Sequence, residues 1–70
     1  MNLINGVEGR SYTVSEIDNE AEDFLRTLGC YIGERITIIS KSSNVIIVCI
    51  KDSRYALCIE VAGSIYVEED

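Results

Sequence analysis

Gly29 and Gly33 stand four positions apart, between a helical pattern and a strand pattern, and fix where the chain must change secondary structure. Upstream, Ala21, Phe24, Leu25 and Leu28 recur at i, i+3, i+4 and i+7, the spacing of one face of an amphipathic helix. Gly29 falls where that helix should stop, because glycine accepts the left-handed conformation that closes a last turn. Gly33 then permits a tight turn. Beyond it, Glu34-Arg35-Ile36-Thr37-Ile38-Ile39 begins a second strand over residues 34–41. A helix over residues 20–28 is expected, with Asn19 and Glu22 approximating a capping box.

The rest of the chain reads as β. Residues 1–9 are a lead-in with Leu3 and Val7 as expected core contacts, and residues 10–17 form a first strand with Tyr12, Val14 and Ile17 inward. Ser42-Ser43-Asn44 is a polar loop before an almost wholly apolar third strand over residues 45–51. Asp52-Ser53 is the expected two-residue turn into a fourth strand over residues 54–60, and Gly63 precedes a fifth over 64–67. Five short strands and one helix in 70 residues bury little as an open sheet. Curling them into a small barrel shields the edges, with the helix between strands one and two plugging one end. The expected fold is therefore mainly β, a single domain over residues 1–70 built as an SH3-like barrel.

Charge and cysteine usage narrow the function. Twelve acidic and six basic residues leave a net charge of −6, which disfavours nucleic acid and anionic membrane surfaces as partners. No apolar run reaches the roughly 20 residues that span a bilayer, and no secretory leader is visible, so a soluble cytoplasmic protein without membrane insertion is expected. Cys30, Cys49 and Cys58 leave an odd thiol under any pairing and match no zinc or redox spacing; they read as reduced thiols packing as small hydrophobes. With no histidine, no phosphate-cradling loop and no activated serine motif, no catalytic residue, metal ligand or cofactor is assigned. The acids at 16, 18, 20, 22 and 23 read as helix-start charges, because no calcium-type loop arranges them.

Two apolar features point instead to a contact surface. Tyr31 and Ile32 lie between the two glycines, either tucked against Phe24 and Leu28 or offered to a partner. With Asp52-Ser53 as the turn, Ile46, Val48, Ile50, Tyr55, Leu57 and Ile59 line the barrel interior. Val45, Ile47, Cys49, Ala56 and Cys58 then form an apolar outer face. A soluble monomer usually avoids such a face unless the chain's own N-terminal segment or helix, a second copy or a partner protein covers it. Candidate partner-binding residues are thus Tyr31, Ile32, Ile47, Cys49 and Cys58.

The run Phe24-Leu25-Arg26-Thr27-Leu28-Gly29-Cys30-Tyr31-Ile32-Gly33, with Ala56-Leu57-Cys58-Ile59 and Ile65-Tyr66-Val67, resembles the FeoA family over nearly the whole chain. Members commonly carry a proline where Ile32 stands here, and this chain has no proline. The resemblance implies an SH3-like barrel and a small cytosolic accessory protein of bacterial ferrous iron uptake. Its implied partner is FeoB, a membrane GTPase transporter, and it implies no catalytic residues. Similar domains occur at the C-terminus of iron-dependent repressors, so a regulatory module of another assembly is the alternative. With no DNA-binding or metal-binding domain preceding it, the standalone form is expected.

Overall fold

The computed structural model describes residues 1–69. A 3-10 turn (Leu3–Asn5) leads into β1 (Ser11–Ile17), α1 (Asn19–Thr27), β2 (Arg35–Lys41), β3 (Val45–Ile50), β4 (Ser53–Cys58), α2 (Ile59–Ala62) and β5 (Ile65–Glu69). The five strands form one antiparallel sheet in the order β4-β3-β2-β1-β5. Register shifts between Val14 and Glu16 against β5, and between Ile38 and Ser40 against β3, bend the sheet as bulges do, toward the expected barrel. The extents of 25 × 24 × 23 Å fit a curled rather than a flat sheet, with β4 and β5 as its two margins.

Alternation, interrupted at the bulges, puts one face of each strand inside. Ile46, Val48 and Ile50 of β3 are buried, as are Ile36 and Ile38 of β2, Tyr12 and Val14 of β1, and Ile65 and Val67 of β5. Leu3 and Leu25 close the ends of this core. Among the described residues no polar or charged residue is buried. The one aromatic in the core, Tyr12, keeps its polar tip satisfied, since its hydroxyl accepts from the Val7 N–H at 2.9 Å.

Several expectations shift. The hairpin turn is Lys51-Asp52, not Asp52-Ser53: Ile50 pairs with Ser53, Val48 with Tyr55 and Ile46 with Leu57. Both turn residues adopt positive φ, 49° and 66°, as a type I′ turn requires. The slip is two residues, which preserves the side-chain parity, so the inner and outer faces stand as assigned. The fourth strand ends at Cys58, and Ile59 enters α2 instead of the barrel wall. The helix cap is Asp18 rather than Asn19, and it makes no side-chain capping bond. Val7 is 55% exposed, and only its N–H serves the core.

Candidate functional site

The segment between α1 and β2 is held at both ends by backbone bonds. The Cys30 N–H donates to Leu25 O at 3.0 Å and the Gly29 N–H to Arg26 O at 3.0 Å, finishing the helix with Gly29 at φ +83°. The Gly33 N–H donates to Val14 O at 2.7 Å, and the Val14 N–H to Glu34 O at 2.9 Å, stitching the exit to β1. Between these anchors the Glu34 N–H donates to Tyr31 O at 2.9 Å. Residues 31–34 are therefore a β-turn with Gly33 at its third position and φ +92°, the conformation a type II turn demands there. Ile32 occupies the second position, where proline is favoured.

The segment between Gly29 and Gly33 divides its three side chains sharply. Cys30 points inward and is buried. Burial pushes its thiol up to about 11, and the nearby Glu34 carboxylate adds in the same direction. Tyr31 and Ile32 point outward, 47% and 65% exposed. The alternative of packing against Phe24 fails with them, because Phe24 is itself 52% exposed on the solvent side of α1.

Paired charges frame this apolar tip. On one side a shallow cleft runs between Tyr31-Ile32 and α1, lined also by Ile17, Glu22 and Arg26; Arg26 Nη2 lies 3.4 Å from Glu22 Oε2. On the other, Lys51 Nζ meets Glu34 Oε1 at 3.0 Å. The Lys51 stem crosses Gly29 closely enough that a Cβ there would sit 3.1 Å from its Cδ and Cε. Lys51 thus braces the loop from the hairpin tip, a role visible only once the turn register is known. An apolar centre inside a polar rim, on backbone that needs little ordering, is the anatomy of a protein contact surface.

The other expected contact residues lie apart from the tip. Ile47 and Cys49 are half-buried on the outer face of β3, and Cys58 is exposed at the far end of β4, opposite Val45. Cys49 comes nearest to the loop, sharing a cleft with Glu34 and Lys51. Cys30, Cys49 and Cys58 are free thiols. Among the described residues no three His, Cys, Asp or Glu side chains converge as a metal centre needs, and no helix is long and apolar enough to cross a membrane.

The FeoA domain model matches residues 1–69. A comparison with curated proteins gives no match. Among solved structures, the iron uptake regulatory protein FeoA superposes with a TM-score of 0.88 at 23% identity, covering 97% of this chain and 93% of that one. The zinc complex of Stenotrophomonas maltophilia FeoA, described as a prokaryotic SH3 domain protein and suggested to activate ferrous iron transport, gives 0.85 at 24% identity, covering 97% and 89%. A manganese-dependent transcriptional repressor gives 0.92 at 19% identity, with all of this chain matching 41% of the repressor.

Proposed function

The chain belongs to the FeoA family, and from that membership we propose that it is a cytosolic accessory protein of ferrous iron uptake that docks on a FeoB-like GTPase-permease. FeoA is an accessory family of iron transport with an SH3-like fold. Docking runs through the tip of the turn at residues 31–34. The observation that carries this reading is the exposure of Tyr31 and Ile32 on backbone pinned at both ends. Large apolar side chains held out rigidly lose little entropy on binding, and tyrosine is a favoured anchor in such contacts. Ile47, Cys49 and Cys58 form the competing surface.

The double variant Tyr31→Ala, Ile32→Ser tests this against the FeoB-like GTPase in a pull-down and in ferrous uptake by cells. Association and uptake should fall while the thermal midpoint stays within a few degrees, since neither side chain is in the core. Full binding by the double variant would move the contact to the strand face. The repressor likeness favours a second reading, a regulatory module attached to a larger assembly. Capture of a repressor rather than a GTPase-permease would establish that reading.

A further inference from the structure

The two margins of the sheet are finished differently. Along β5, the first residues of the chain lie against the strand: the Val67 N–H donates to Met1 O at 2.7 Å, and the Met1 ammonium donates to Val67 O at 3.1 Å. Asn2 pairs with Tyr66, and its Nδ2 donates to Gly63 O at 2.8 Å. Along β4 no described residue takes that place. Ile50 and Ser53 flank a two-residue turn, so they exchange backbone bonds, and the alternation makes Val48–Tyr55 and Ile46–Leu57 the other bonded pairs. The Ile59 N–H donating to Asn44 O at 3.0 Å continues the same phase past the strand. The N–H and C=O of Arg54 and Ala56, and the N–H of Cys58, therefore point away from β3 and meet no partner among the described residues.

We propose that this edge pairs with β4 of a second copy of the chain, antiparallel about a twofold axis at Ala56. Two devices that blunt an edge, a bulge and a proline, are missing: the β3–β4 register runs unbroken from Val45–Cys58 to Ile50–Ser53, and the strand holds no proline. The strand is also complementary to itself. With Ala56 facing Ala56, the two small residues exchange two backbone bonds, and each Cys58 N–H reaches the Arg54 carbonyl of the other copy for two more. Arg54 is exposed and makes no ion pair among the described residues. The pairing sets it against the corner where Cys58 of the second copy passes into α2 with its exposed Glu60, so opposite charges meet twice across the seam. The outer apolar strip of Val45, Ile47 and Ala56 becomes continuous across the axis. A heterologous strand would find the backbone groups but not this reciprocal match of Arg54 with Glu60.

Sedimentation velocity of the intact chain, from micromolar to millimolar concentration, tests the pairing beside Ala56→Pro and Ala56→Lys. Proline at 56 deletes an outward N–H and touches no bond to β3. Lysine sets two ammonium groups face to face at the axis while every backbone bond within the chain remains. The natural sequence should double in mass across the range, with the Ala56 amide exchanging more slowly as concentration rises. Ala56→Lys should stay monomeric with an unchanged circular dichroism spectrum, and Ala56→Pro should do the same if folded. A natural chain that stays monomeric throughout, or a dimer that survives Ala56→Lys, would overturn the proposal. So would a monomer that instead captures an extended polypeptide along β4. The turn at residues 31–34 is untouched by these variants, so GTPase association is scored separately.

Discussion

The buried thiol of Cys30 makes a quantitative prediction about alkaline stability. In the unfolded chain it titrates near 9, and in the fold near 11, because burial penalises the thiolate and the Glu34 carboxylate repels it. The folded value lies above the unfolded one, so the associated stability is fully present below about pH 9. It is lost as pH rises toward 11, where only the unfolded chain readily sheds the proton. At pH 10 the two states differ by one decade of proton affinity already expressed, about 1.4 kcal/mol. Above pH 11 the loss approaches two decades, about 2.7 kcal/mol. The assay is a difference, so that contributions shared by both chains cancel: urea unfolding of the natural sequence and of Cys30→Ala at pH 7 and pH 10. At pH 7 the variant should be the less stable, having lost a buried sulfur. The gap between the two should shrink by about 1.4 kcal/mol at pH 10. A gap that is the same at both pH values would show that the Cys30 thiol ionises as easily inside the fold as outside, and the reasoning would fail.

Gly6→Ala should destabilise by about 1–3 kcal/mol, because the added methyl would overlap Ile38 Cδ1 and sit 3.1 Å from Tyr12 Cε2 and 3.2 Å from Leu3 O. Denaturant melts would check it, and a neutral result would mean that this end of the core is looser than described. Ile32→Pro should stabilise by about 0.4–1 kcal/mol, since the second position of the turn suits proline and the Ile32 N–H makes no bond among the described residues. A lower midpoint for that variant would show that residues 31–34 do not hold a type II turn.

The parts of the fold legible from sequence are those where glycine and alternation act together. Gly29 and Gly33 both take positive φ, as the helix-stop and turn readings require, and Tyr12, Val14, Ile46, Val48 and Ile50 are inward as their period implies. The hairpin register was less legible because Lys51-Asp52 carries none of the Asn-Gly chemistry that marks a type I′ turn; Asp52-Ser53 looks equally suitable on composition. The faces survived that slip only because it was even. α2 spans Ile59–Ala62, a single turn, too short for any helical period to register against the preceding strand. At the candidate site the apolar pair between the glycines was readable, but its exposure was not. Helical spacing places Phe24 beside Leu25, and only the packed sheet shows that Leu25 takes the core while Phe24 turns to solvent. The bracing of the loop by Lys51 joins residues 29, 34 and 51, which no local pattern connects.

The strand order carries a consequence for synthesis on the ribosome. β1 lies between β2 and β5, and the Met1–Asn2 segment bonds to Tyr66 and Val67. A nascent chain can close the run β2-β3-β4 as soon as those residues emerge, since each of these strands pairs with a sequence neighbour. β1 must meanwhile wait with one side unpaired, and Leu3 with it, until residues 65–69 appear. At about 5–20 residues per second that delay lasts seconds, far longer than local hairpin closure. The first strand of the sheet to be made is thus among the last to be secured on both sides.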